Sequence, residues 1–122
     1  MVSPRAPRLI RRVKVAGLSM APALLPGDRL LVVRMGRPRP GDVVALPDPR
    51  QPARVIVKRV AAVEGRRVTV LGDDPSQSTD SRAFGPVDRA DLFGRAVYRY
   101  WPAARRGRPA PRPAKAGGRR QP

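Results

Sequence analysis

"VAGLSMAPALLPGDRLLVVRM", residues 15–35, admits two incompatible readings. As the apolar core of a signal peptide behind the basic "RLIRRVK" at 8–14, it would be cut away. As part of the mature fold it supplies a turn and a strand. Gly17 and Pro22 interrupt the apolar run, and "PGD" at 26–28 is turn chemistry that leads straight into the strand-like "RLLVVRM". Cleavage would also discard a strand's partner. The second reading therefore prevails, and it makes the chain a β protein.

The same alternation of runs and breakers continues downstream. β-Branched stretches at 9–16, 29–35, 42–46, 54–63, 67–71 and 94–100 are separated by "LPGD", "RPRPGD", "VEGR" and "GDDPSQSTDSRAFG". Helix is confined to a turn in "SMAPALL", with Ser19 at its start, and another in "DRADLF" at 88–93. The expectation is a mainly β domain: a compact twisted sheet or small barrel with one or two short helical turns. No stretch has the ~18–20 apolar residues that cross a bilayer, so no integral membrane segment is expected.

The formal net charge of +17 suggests a nucleic-acid binder until it is divided along the chain. Residues 1–14 and 105–122 hold twelve of the 26 basic groups and no acid, so the middle carries only a small excess. The end "RRGRPAPRPAKAGGRRQP" has almost no large apolar side chain to offset its ordering entropy and reads as a disordered tail. Such basic ends can touch anionic membrane or nucleic acid weakly through phosphate charge. No aromatic RNA-binding motif accompanies them.

Cysteine and histidine are both absent. That removes disulfides, thiolate zinc sites and every catalytic scheme built on imidazole. A general base must then be Lys, Asp, Glu or Tyr. Among 26 basic residues only Lys14, Lys58 and Lys115 are lysines, and Lys58 alone lies far from the basic ends. In "ARVIVKRVAAV" at 53–63, period two puts Lys58 on one face with Ile56, Val60 and Ala62. An ammonium held against aliphatic groups loses hydration and its pKa falls, which a guanidinium cannot match. Such a lysine is a base, or else a side chain snorkelling at a sheet edge. Ser19 is the complementary hydroxyl, a nucleophile if a neutral amine takes its proton, or else the cap of a turn. The hydroxyl-rich loop 72–87 suits a partner that orients the lysine, and equally a set of side-chain turns.

Taken in order, "GLSMAPALLPGDRLLV", "GDVVAL", "VIVKRVAAVEG" and "GDDPSQSTDSRAFGPV" resemble the boxes of type I signal peptidases, which are Ser-Lys serine proteases. The likeness runs from about residue 13 to "YRYWP" at 98–102. It implies that Ser19 is the nucleophile, Lys58 the general base and Ser78 the hydroxyl that orients it. Asp80 and Arg82 would support the loop, and Met20 and Pro22 would shape the turn after the nucleophile. The backbone N–H groups of Ser19 and Gly17 would form the oxyanion hole, since Gly17 stands where some members carry a serine donor. Asp74 replaces a usual Asn and Ala23 a common Thr.

The resemblance divides the chain into a basic arm (1–12), a Ser-Lys peptidase domain (13–104) and the tail (105–122). It also implies shallow apolar pockets that admit small side chains before the cut. With no membrane anchor ahead of the serine box, the chain is most similar to short soluble proteases that mature nickel-type superoxide dismutase. This implies a cytoplasmic endopeptidase without cofactor or metal, whose partner is a precursor protein, the nickel superoxide dismutase proform. The alternatives are an anchor-free signal peptidase cleaving exported preproteins, a self-cleaving regulator lacking its DNA-binding domain, and a non-catalytic basic nucleic-acid-binding β-module.

Overall fold

The computed structural model describes residues 9–111. Seven strands form one antiparallel sheet: β1 (Ile10–Lys14), β2 (Arg29–Val33), β3 (Val43–Asp48), β4 (Gln51–Glu64), β5 (Arg67–Leu71), β6 (Val87–Asp88) and β7 (Gly94–Trp101). Their spatial order is β1-β2-β7-β3-β4-β5-β6, with β1 and β6 at the two ends, so the sheet is open and not a closed barrel. All six expected strands are present. The added one, β6, is two residues long and too short to leave a pattern in the sequence.

Residue alternation on β3 explains how so small a sheet makes a core. Val43 and Ala45 join one cluster with Val13, Val15, Met20, Leu24, Leu30, Val32, Val57 and Ala96. Val44 and Leu46 join another with Ile56, Val60, Val68 and Val70. Successive side chains of a strand point to opposite faces, so β3 is buried on both. One face packs with β1, β2 and the segment around Ser19, the other with β5 and the approach to β6.

One register detail differs from the period-two expectation. Val60 pairs with Val70, but Ala62 pairs with Thr69, which leaves Ala61 as an extra residue on β4. The bulge reverses the side-chain parity beyond it. Ala62 is therefore exposed, and Val63 packs with the cluster that holds Ile56 and Val60.

Short turns of helix lie at Pro75–Gln77, α1 (Ser81–Phe84), Arg89–Asp91 and Ala103–Arg105. The turn expected in "DRADLF" is thus a 3₁₀ turn, and "SMAPALL" makes a single helical closure through Leu24 N–H to Met20 C=O at 2.9 Å. Two of the turns fall inside the hydroxyl-rich loop 72–87, each capped by an aspartate, Asp74 and Asp80. Residues 105–111 lie against the sheet: Gly107 bridges Arg99, and the Ala110 carbonyl accepts from Arg59 at 3.0 Å. Residues 1–8 and 112–122, which include most of the arm and of the tail, lie outside the described residues. Among the described residues no helix is long and apolar enough to cross a membrane.

Candidate active site

Ser19 and Lys58 line one cleft of about 210 Å³, together with Gly17, Met20, Ile56, Val57, Gln77 and Thr79. A larger hollow of about 640 Å³, walled by residues 41–43, 95–97 and 108–111, contains neither. Met20 anchors the serine segment: its side chain is 1% exposed and belongs to the core. The Ala21–Pro22 peptide that follows is cis. Gly17 stands at φ +79°, a left-handed conformation that glycine adopts without strain. Among the described residues neither the Gly17 nor the Ser19 N–H finds an internal acceptor.

Lys58 is 4% exposed, between Ile56 and Val60 on the apolar face of β4. Its Nζ donates to Ser78 Oγ at 3.0 Å, and Ser78 Oγ donates in turn to Asp80 Oδ2 at 2.6 Å. Because the Ser78 proton is directed at Asp80, its oxygen is left to accept from the lysine. A neutral amine that donates to Ser78 keeps its lone pair for another proton. Burial pushes the Lys58 ammonium below its usual pKa, the Asp80 carboxylate opposing and nearby Arg50 and Arg54 assisting.

Asp80 is 1% exposed and fully engaged. It accepts from Gly72 N–H at 2.9 Å, Arg82 N–H at 3.1 Å and Arg82 Nε at 3.0 Å, with a further bond from the other arm of that guanidinium. Burial alone would raise its pKa. The hydrogen bonds from Arg82, Ser78 and Gly72 outweigh burial and hold the carboxyl well below the usual range. The loop end is thus fixed as an anion behind a neutral hydroxyl that faces the lysine.

Three residues passed over in the sequence, Arg59, Asp73 and Gly72, join Asp74 in bringing the loop to the serine. Arg59 points away from Lys58 and forms a two-pronged pair with Asp73, at 2.9 and 2.8 Å, while also donating to the Gly41 carbonyl at 3.1 Å. Asp74 N–H donates to the Ser19 carbonyl at 2.8 Å, which ties the loop directly to the serine segment. Between them Gly72 admits a contact that no other residue would: a Cβ there would lie 2.3 Å from Ser78 Oγ and 2.8 Å from Ser19 O. An arginine inside an apolar strand run was the available signal for the first pair, since a buried guanidinium requires a carboxylate.

Beneath the serine turn, Asp28 binds Arg105 at 2.8 Å and Arg99 at 3.3 Å, and Arg99 also donates to the Ala23 carbonyl at 2.9 Å. The turn after Ser19 is held from below by β7 and the segment that follows it.

The sequence pattern described as signal peptidase, peptidase S26, matches residues 6–70 and 67–101. The chain belongs to the signal peptidase S26 family. Among its relatives is the mitochondrial ATP-independent inner membrane protease subunit 1a of Arabidopsis thaliana, 36% identical over 121 residues, covering 77% of this chain and 72% of the relative. Mitochondrial inner membrane protease subunit 2 of Danio rerio is 33% identical over 124 residues, 80% of this chain and 68% of the relative. The Homo sapiens subunit 2 is 34% identical over 118 residues, 75% and 67% respectively. Membership in the S26 family makes the chain a serine peptidase of the signal-peptidase type.

These relatives correct the expectation of a cytoplasmic protein. That expectation rested on likeness to soluble maturation proteases, whereas the relatives are inner membrane proteases by name. None of the three is named for nickel superoxide dismutase.

Proposed function

We propose that Ser19 and Lys58 form the catalytic dyad of an endopeptidase that removes an N-terminal leader from a precursor protein. The observation that carries this reading is the Lys58–Ser78–Asp80 chain at the back of the cleft that Ser19 lines. It turns a buried lysine toward the neutral amine that a serine nucleophile requires.

Ser19 Oγ attacks the scissile carbonyl carbon as its proton passes to Lys58 Nζ. The oxyanion forms at the N–H groups of Ser19 and Gly17. When the C–N bond breaks, Lys58 returns the proton to the departing amine, leaving an ester on Ser19. Lys58 then takes a proton from the water that hydrolyses the ester, and Ser19 recovers it. Asp80, Arg82, Met20 and Pro22 position these groups and do not react.

Residues 51–58 of β4 pair only with β3, because pairing with β5 starts at Arg59. Their other edge opens on the cleft opposite residues 14–19. An extended substrate fits such a slot, since an unpaired strand edge recruits backbone hydrogen bonds. The small volume and the apolar floor of Val15, Met20, Ile56 and Val57 favour small side chains ahead of the cut.

The likeness to maturation proteases makes the nickel superoxide dismutase proform the first substrate. A second reading, favoured by the relatives' names, is a precursor processed at a membrane surface. Intact mass of that proform after incubation with the wild type, Ser19→Ala and Lys58→Ala tests both dyad and substrate. Loss of the leader with the wild type alone is expected. Cleavage that persists in Ser19→Ala overturns the dyad. An intact proform beside cleaved exported precursors on anionic vesicles selects the second reading.

A further inference from the structure

The floor of the cleft is apolar, but its rim is not. Lys14 at the end of β1, Arg50 in the turn between β3 and β4, and Arg54 on β4 all line it, and all three are exposed. No carboxylate lines it with them. Arg50 is already held by Asp48, at 2.9 and 3.1 Å. Among the described residues Lys14 and Arg54 have no carboxylate within ion-pair distance, the other pairs being centred on Arg59, Arg66, Arg82, Arg95, Arg99 and Arg105.

The charge lining is not the same in every hollow. A second apolar hollow, lined by Leu46, Phe84 and Val87, carries Asp48, Asp88 and Asp91 and no cation. Two further hollows are also lined by arginines without a carboxylate, one by Arg37, Arg39 and Arg89 and one by Arg11, Arg34 and Arg89. In the cleft of Ser19, however, the unpaired cations stand directly beside the serine and the buried lysine. They flank the slot from both sides, Lys14 beside the serine segment and Arg54 four residues before Lys58. A low-dielectric wall beside such charges concentrates their field on whatever enters the cleft.

We propose that Lys14 and Arg54 select precursors carrying a carboxylate within a few residues of the scissile bond. The selection rests on the peptidase reading above and names its substrate class: a small residue ahead of the cut, with Asp or Glu in the flanking positions. Arg50 contributes less, because Asp48 neutralises it.

Pairs of peptides with the same alanine-containing leader, differing only by Asp or Asn at positions scanned along both sides of the cut, test this. Turnover by the wild type and affinity for Ser19→Ala are measured on the full chain. At low salt the better Asp peptide is expected to exceed its Asn twin about fivefold in both readouts, as two exposed ion pairs allow. The ratio should fall toward one as salt approaches molar concentration. In the Lys14→Gln, Arg54→Gln double variant it should be near one at any salt, and Lys14→Arg should retain it. A wild-type ratio of one at every position, or a ratio unchanged in the double variant, overturns the proposal. Absence of turnover with every peptide overturns the peptidase reading instead, and the binding ratio of Ser19→Ala still decides the charge preference.

Discussion

Replacing Gly72 by alanine adds one carbon and no charge, yet it strikes the contact that joins the two halves of the site. The new Cβ would sit 2.3 Å from Ser78 Oγ, 2.5 Å from Ser78 Cβ and 2.8 Å from Ser19 O, all well inside van der Waals contact. Gly72 has no left-handed backbone, so alanine suffers no conformational strain there and only the close approach is at issue. Overpacking of this kind costs about 1–3 kcal/mol.

Relief by movement of Ser78 breaks its 3.0 Å bond from the Lys58 amine, worth about 0.5–1.5 kcal/mol, and strains its 2.6 Å bond to the Asp80 carboxylate, worth about 1.5–3 kcal/mol. Relief by movement of the loop instead stretches the Asp74–Ser19 tie, and misplacement of catalytic groups by ~1 Å costs on the order of 100-fold in rate. The expected result is a melting temperature several degrees lower and kcat reduced by about 10- to 100-fold. Thermal melting and steady-state peptide cleavage read the two effects separately. The double variant Gly72→Ala, Ser78→Gly should recover part of the stability while remaining slow, because the two closest contacts are gone, the 2.8 Å approach to the Ser19 carbonyl stays, and the orienting hydroxyl is lost. A Gly72→Ala protein with wild-type melting and wild-type turnover refutes the argument.

Lys58→Arg keeps the charge and should lose activity by at least 1,000-fold, since a guanidinium stays protonated. In the wild type, kcat should rise with pH through the lowered Lys58 pKa, and Arg54→Gln should move that rise to higher pH by removing a cation that favours the neutral amine. Stability follows the same sign. Between the lowered folded pKa and the unfolded value of about 10.4 the unfolded chain binds more protons, so Lys58 costs less as pH increases across that window. Asp80 contributes in the opposite range: its folded pKa is depressed, so its stabilisation is complete above the unfolded value of about 3.9 and disappears as pH falls through the folded one. The wild type should therefore exceed Asp80→Asn by about 1.5–3 kcal/mol in denaturant melts at pH 7, since the Arg82 left behind is half exposed, and by little in strong acid. Arg59→Leu strands the buried Asp73 carboxylate and should cost ~3–5 kcal/mol at pH 7, with equal melts of the two proteins counting against the pair as a fastener of the loop.

The strands were legible because each carries β-branched residues between Gly and Pro breakers, a local signal. Lys58 was legible for the same reason, as a lone lysine on an apolar face. The bulge at Ala61 was not, because it is set by the partner strand and leaves no mark on the alternation of β4. The hydrogen bonds that join residues 72–80 to Ser19 and Lys58 span distant parts of the chain, so composition and spacing showed their residue types but not their pairing. The pairing of Ser78 with Lys58 came only through the family resemblance, and the tie from Asp74 to Ser19 left no mark. Gly72 shows the limit most clearly. A loop glycine reads as a turn former, and only the neighbouring atoms reveal it as a spacer.

Composition and mechanics divide this chain at different places. The arginine- and proline-rich character starts at residue 105, but Arg105 is a counterion of the buried Asp28, Gly107 extends β7 by a bridge, and Ala110 completes the coordination of Arg59. A protein trimmed at the compositional border would lose the Arg105 latch under the Ser19 turn and the carbonyl that Arg59 uses behind the loop. Its serine and lysine would both be present, on a scaffold with its bracing removed.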